Sequence, residues 1–202
     1  MKSILQAGVL LITLIILFTG SAVSAETSTE ASPETASKIF QLSLWQPVQI
    51  FKPETSITGF RLNLLYGMNR NVTGLDLGLG NKVTENMKGL QFGLLNSVDG
   101  NLSGWQDGII NIVKGQSVGL QTGLYNATDE LKGVQIGLLN VVDKNAKAFQ
   151  FGLINHAGRI SGVQIGLLYN SADSLYGAQI GLLNFIWTRE PVRFLPIINL
   201  GF

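Results

Sequence analysis

The sequence predicts an all-β fold made of tandem repeats of about fifteen residues. The octamer Gly-hydrophobic-Gln-hydrophobic-Gly-Leu-hydrophobic-Asn recurs between Gly59 and about Asn184. Within each octamer, apolar residues alternate with Gly and Gln, and a period of two is typical of a strand with one apolar face. The segments between octamers are short and rich in turn-forming residues, so a helix has no room to form.

Ahead of the repeats lie two segments that we expect to stand apart from the fold. Residues 1–25 contain Lys2, an apolar run at 4–18 and the small residues at 23–25, a pattern that predicts a cleaved signal peptide. Residues 26–38 have no large apolar side chain and are predicted to be a flexible linker. The remaining residues, 39–202, are predicted to form one domain, with repeats at about 59–184 and caps at 39–58 and 185–202.

The repeat is marked most clearly by one glutamine in each unit. Asp76 and Arg61 take the same place in two earlier units, which makes nine units in all. Such a register predicts that equivalent residues stack on one another. The glutamines are 14 or 15 residues apart, at Gln91, Gln106, Gln121, Gln135, Gln150, Gln164 and Gln179.

The favoured interpretation is a β-solenoid, in which each unit is one coil and neighbouring coils pair in parallel. Aliphatic residues of the octamer, such as Ile136 and Leu138, are then expected to face inward with Leu131 and Val142 from the return side of the coil. Gln135 is expected to join an amide ladder on the outer face. The asparagine that ends each octamer is expected at a corner, where it can bond to the next coil.

An antiparallel outer-membrane β-barrel is the alternative, with each unit as one strand whose aliphatic face contacts lipid. The alternating apolar residues of 194–202 and the terminal Phe202 favour it. The uniform connections count against it, because the two ends of a barrel have different loops. Nine units with further strands at 40–51 and 194–202 also give an odd number, whereas bacterial single-chain barrels have an even number.

The repeats resemble a largely uncharacterised bacterial surface-repeat family of the leptospiral type. The resemblance rests on the octamer, on residues 61–67 (RLNLLYG) and 74–79 (GLDLGL), and on the closing 194–199 (FLPIIN). It covers nearly everything from Phe40 to the end. The resemblance implies export to the envelope or surface, and it implies no reaction, ligand or catalytic residue.

Composition and charge argue against most kinds of chemistry. Without Lys2, the 14 Lys and Arg residues fall to 13 and equal the 13 Asp and Glu residues, and no basic run exists, so nucleic acid is not an expected partner. The chain has no Cys and a single His, His156, which we expect to be a solvated turn residue. Asp76 is expected at the surface, and Asp107 is expected to interrupt the inward apolar face. No catalytic, cofactor-binding or metal-binding residue is predicted.

The sequence therefore favours a non-catalytic exported protein of the cell envelope, located at the outer membrane or the cell surface, with a structural or binding role. The Gln and Gly face is the expected binding surface, with an envelope protein or a polysaccharide as a possible partner, and contact with the outer membrane stays open. The alternative function follows the barrel interpretation: a small integral outer-membrane protein that serves as an anchor or pore.

Overall fold

The computed structural model describes residues 37–202, so the predicted signal peptide and most of the predicted linker lie outside the described residues. The described part is all β, and its first strand begins at the last residue of the predicted linker. The strands are β1 (Lys38–Trp45), β2 (Val48–Gln49), β3 (Ile57–Asn69), β4 (Val72–Val83), β5 (Met87–Phe92), β6 (Leu95–Val98), β7 (Leu102–Ile186) and β8 (Phe194–Gly201).

The repeats stack as parallel coils in the predicted register. Gly59 pairs with Gly74, Gly74 with Gly89, and Gly89 with Gly104, so each unit lies directly on the one before it. The long β7 continues this winding without a break. The solenoid prediction is confirmed. The antiparallel-barrel alternative is wrong, because β3, β4, β5, β6 and the start of β7 run in the same direction.

In eight of the nine units the octamer begins with a glycine of positive φ that leaves no room for a side chain, and Ala148 takes this place in the remaining unit. Gly119 has a φ of +128°, and a Cβ atom there would lie 2.0 Å from the carbonyl oxygen of Gly104 in the preceding coil. That distance is far below van der Waals contact, and the backbone conformation is one that only glycine adopts readily. Glycine therefore recurs at this position because the backbones of neighbouring coils approach closely there.

The two faces of the octamer are the reverse of the sequence prediction. Gln135 is fully buried, whereas Ile136 is 41% exposed and Leu138 is 49% exposed. The same holds for all seven predicted ladder residues, Gln91, Gln106, Gln121, Gln135, Gln150, Gln164 and Gln179, each with 0% exposure. The prediction of an outer Gln and Gly face is therefore wrong, and the exterior of the octamers is aliphatic and aromatic.

The predicted return side of the coil does face inward. Leu131 and Val142 are buried, and equivalent residues of other coils stack on them in two apolar clusters. Ser117 and Thr128 occupy the corresponding positions of an intervening coil and are also buried. The interior thus combines two narrow apolar columns with two columns of amide side chains.

The flanking segments cover the two ends of the stack. At one end β1 pairs in parallel with β3, Gln41 opposite Arg61, and β2 folds back antiparallel onto β1. At the other end β8 pairs antiparallel with the last coil, Asn199 opposite Gln179. Pairing at both ends matters because an uncovered sheet edge exposes a row of unpaired backbone groups.

Candidate binding surface

The buried glutamines form one continuous hydrogen-bonded column along the solenoid. In each step the Nε2 atom of a glutamine donates to the Oε1 atom of the glutamine one coil earlier, as from Gln135 to Gln121 at 2.9 Å and from Gln150 to Gln135 at 2.8 Å. The column ends at Asn199, whose Nδ2 donates to Gln179 Oε1. Because every amide has partners in its neighbours, the column is buried without the usual cost of desolvated polar groups.

A second column consists of the asparagines that end the octamers, and it donates in the opposite direction. Asn126 Nδ2 donates to Asn140 Oδ1 at 2.9 Å, and Asn140 Nδ2 donates to Asn155 Oδ1 at 2.8 Å. The predicted bonding of these asparagines to the next coil is confirmed. The second glycine of the octamer leaves room for them, since a Cβ atom on Gly137 would lie 2.6 Å from Asn126 Nδ2.

The glutamine column begins with a buried ion pair. Arg61 Nε and Nη2 donate to the two carboxylate oxygens of Asp76 at 2.7 and 2.6 Å, and both side chains have no exposed surface. Asp76 also accepts from Gln91 Nε2 and from Asn63 Nδ2. The expectation that Asp76 lies at the surface is wrong. Its carboxylate receives the first amide donor of the column and is neutralised by Arg61.

The surface best suited to bind a partner is the exposed aliphatic and aromatic side of the octamers, which we call the apolar exterior. It consists of the two outward residues beside each buried glutamine and the two residues after the second glycine. In one coil these are Val134, Ile136, Leu138 and Leu139, and the other coils repeat the pattern except at Gly80, Asp107 and Thr122. Phe40 and Leu42 of β1 and Ile198 and Leu200 of β8 extend it to both ends.

The most exposed line of the apolar exterior is a ridge at the corner after the second glycine. Two consecutive residues, such as Leu94 and Leu95, are both exposed there, which breaks the alternation of a straight strand and indicates that the chain turns. Eight of its members are 44% to 61% exposed, and Leu153 is less so. This Leu ridge comprises Leu64, Leu79, Leu94, Ile109, Leu124, Leu138, Leu153, Leu167 and Leu182.

Asp107 and Thr122 are polar residues of the apolar exterior in neighbouring coils. The Thr122 hydroxyl donates to the Asp107 carboxylate, and the Trp105 indole Nε1 donates to the Thr122 oxygen at 2.9 Å. Asp107 therefore lies on the outside, half-exposed, and the expectation that it interrupts an inward face is wrong. The cluster satisfies its own hydrogen bonds and brings no second carboxylate or histidine to Asp107 for acid–base chemistry.

The opposite edge of each coil is polar, and several of its charges pair between coils. Lys82 Nζ and Lys114 Nζ lie 2.6 and 2.8 Å from Asp99 Oδ1. Arg70 Nε lies 2.6 Å from Glu85 Oε1, and this hydrogen bond holds the pKa of the Glu85 carboxyl below its usual value. With both signs interleaved, this edge presents no field of one sign to attract a charged polymer.

His156 belongs to a strand next to the asparagine column rather than to a solvated turn. Its Nδ1 atom lies 2.8 Å from Ser171 Oγ. Burial lowers the pKa of His156 below its ordinary value of 6.5, and the carboxylates of Asp173 and Asp143 oppose that shift only in part. The folded protein therefore favours the neutral imidazole.

We expect the unfolding free energy to fall as the pH drops below 6.5, the ordinary pKa of the group. The unfolded chain then binds a proton that the folded chain resists, until the pH reaches the lower folded-state pKa. Urea unfolding at pH 7.5, 6.5 and 5.5 measures the effect. In the control, His156→Gln, the decline over this interval should disappear; an equal decline in both proteins would assign it to other groups.

The described residues offer little else for chemistry. Within residues 37–202, no three His, Cys, Asp or Glu side chains are grouped so that they could hold a metal ion. No helix in the same part of the chain is long and apolar enough to cross a bilayer.

The fold and its two amide columns define a β-solenoid repeat protein with an apolar exterior. Comparison with protein-family models, with curated proteins and with solved structures finds no match to this chain.

Proposed function

We propose that this chain is a non-catalytic, exported repeat protein of the cell envelope, and that it acts by binding through its apolar exterior. The observation that carries the proposal is the repetition of outward aliphatic and aromatic residues in every coil, including the Leu ridge. Soluble monomers rarely expose continuous apolar patches beyond a few hundred Å², and larger ones mark sites of interaction.

The size of the apolar exterior supports a binding role. Coils spaced about 4.8 Å apart give the repeats a length of about 45 Å, and the four outward positions span about 16 Å, which together amount to roughly 700 Å². That area is close to what one partner contributes to a stable complex. The predicted signal peptide and the resemblance to a bacterial surface-repeat family support an envelope location.

Cell fractionation tests this proposal. The double variant Leu94→Asp/Leu124→Asp places two carboxylates on the Leu ridge at exposed positions, so the fold should survive while binding is weakened. We expect the wild-type protein in the envelope fraction and this variant mostly in the periplasm or medium. The matched control, Ser103→Asp/Ser161→Asp, adds the same charge at exposed positions away from the ridge and should stay with the envelope. Equal retention of all three proteins would contradict the proposal.

A further inference from the structure

We infer that the partner of the apolar exterior is the surface of a lipid bilayer. In this arrangement the solenoid axis lies parallel to the membrane plane, and the Leu ridge enters the acyl region of one leaflet. The inference rests on the proposed function, because it names what the apolar exterior binds. Three features of the described residues support lipid over other partners: the backbone bonding, the shape of the ridge and the distribution of charge.

The first feature is that the backbone beneath the ridge bonds from coil to coil. The N–H group of Leu94 donates to the carbonyl oxygen of Leu79 at 2.9 Å, and that of Ile110 donates to the carbonyl oxygen of Leu94 at 2.9 Å. These bonds run along the solenoid axis, so the ridge presents side chains to its surroundings while its backbone groups are occupied. A protein backbone can enter the hydrocarbon region of a bilayer only when its N–H and C=O groups are hydrogen-bonded within the protein in this way.

The second feature is the shape of the surface. The apolar exterior turns a corner at the ridge residue Leu138, with Ile136 before it and Leu139 after it. Two copies of this chain that meet ridge to ridge touch along a line, so most of the apolar area stays in water. Fluid acyl chains fill the space on both sides of a ridge, and a surface element that is apolar on one side and polar on the other binds at the membrane interface.

The third feature is the distribution of charge. On the polar edge, Lys82, Lys114 and Lys144 contact carboxylates, as in the contact of Lys144 Nζ with Asp129 Oδ2 at 2.7 Å. On the apolar exterior of the repeats, Asp107 is the charged residue, and it accepts the Thr122 hydroxyl proton in a hydrogen bond. The apolar exterior itself therefore offers a partner apolar contact rather than ion pairs, which suits a zwitterionic lipid.

Vesicle flotation tests the inference. The exported protein, with its N-terminus established by mass spectrometry, is mixed with phosphatidylcholine vesicles and centrifuged through a density gradient. We expect the wild-type protein to float with the vesicles. We expect Leu94→Asp/Leu124→Asp to partition at least about tenfold less, because two aliphatic side chains no longer enter the acyl region. The control Ser103→Asp/Ser161→Asp should float like the wild type.

Salt gives a second readout. Addition of 1 M NaCl should leave flotation unchanged, since apolar contact is not screened by ions. Release of the wild-type protein by salt would overturn the inference, as would equal flotation of the ridge variant. Circular dichroism of all three proteins checks that the β fold is retained.

Sedimentation equilibrium separates failure of the inference from failure of the proposed function. A wild-type protein that ignores vesicles, but forms a dimer that the ridge variant cannot form, would overturn the lipid inference and leave binding through the apolar exterior intact. If the ridge variant matched the wild type in flotation, in self-association and in envelope retention, both the inference and the proposed function would fall.

Discussion

The substitution Gln135→Glu is expected to destabilise the folded protein by about 3–5 kcal/mol at pH 8, the usual cost of an uncompensated buried charge. Gln135 is fully buried, its Nε2 donates to Gln121 Oε1, and its Oε1 accepts from Gln150 Nε2. A glutamate keeps the second bond, but it turns an acceptor toward the Gln121 oxygen and places an unpaired charge inside the solenoid. Urea unfolding followed by circular dichroism measures the change.

The pH dependence of this loss identifies its cause. A carboxyl group buried without a cation has a folded-state pKa above its ordinary value, so its destabilising effect is small below about pH 4.3 and grows as the pH rises through the folded-state pKa. In its protonated form the group donates to Gln121 and restores the column.

The control is the same change at Gln46, which lies half-exposed in the turn between β1 and β2. We expect Gln46→Glu to alter stability by less than about 0.5 kcal/mol. A variant at Gln135 that unfolds like the wild type at pH 8 would show that the column is not closed to water.

The period and parallel stacking could be predicted from the sequence because they depend on register. Positions 14 or 15 apart carry glutamine in seven of the nine units, and only stacked equivalents explain that repetition. The buried face could not be predicted from hydropathy. A rule that places Ile136 inside and Gln135 outside ignores the ability of stacked amides to satisfy one another.

The sequence nevertheless contains a signal for which face of the octamer is buried. Glutamine itself, rather than a mixture of polar residues, occupies the column position in seven units. An exposed position accepts many polar residues, whereas a buried ladder needs one amide of fixed length in every coil. The neighbouring exterior varies more, from Trp105 to Val134 at equivalent positions, as expected where nothing packs against it from the same chain.

The residues that extend the column position into the flanks were missed for a different reason. Gln41 and Asn199 are buried in register with Arg61 and Gln179, but they lie in flanks that lack the octamer. Only pairing of the flanks with the terminal coils brings them into register, where Asn199 donates to Gln179 and the Gln41 amide bonds to the backbone of Phe51. The spacing of Arg61 and Asp76, by contrast, equals one repeat, and opposite charges stacked at one column position indicate an ion pair.

Removal of either member of that ion pair is the second large effect that we expect. Arg61→Gln leaves the Asp76 carboxylate buried without a cation, and Asp76→Gln leaves the Arg61 guanidinium buried without an anion. Each single variant should lose about 3–5 kcal/mol of unfolding free energy, the usual result when one partner of a buried pair is removed.

The double variant Arg61→Gln/Asp76→Gln should recover most of this loss, because it carries at both positions the residue that the later coils use. The amide at position 76 can accept from Gln91 Nε2, as the carboxylate does now, and donate to the amide at position 61. Recovery should stop short of the wild type by about 1 kcal/mol, since Asn69 Oδ1 and the Lys82 carbonyl oxygen lose the donor that Arg61 Nη1 supplies. A double-mutant cycle from urea unfolding should give a coupling energy above about 2 kcal/mol.

Additive losses in that cycle would mean that the ion pair has a role that an amide cannot replace. One such role is to fix the direction in which the glutamine side chains donate their hydrogen bonds. Every glutamine Nε2 points toward the first coil, so the aligned amides present their positive ends to Asp76, much as a helix N-terminus favours an anion. The asparagine column donates the other way and leaves the dipoles of the two columns opposed. If the carboxylate at position 76 sets the direction of the glutamine column, Asp76→Gln should remain destabilising in the Arg61→Gln background, where no ion pair is left to lose.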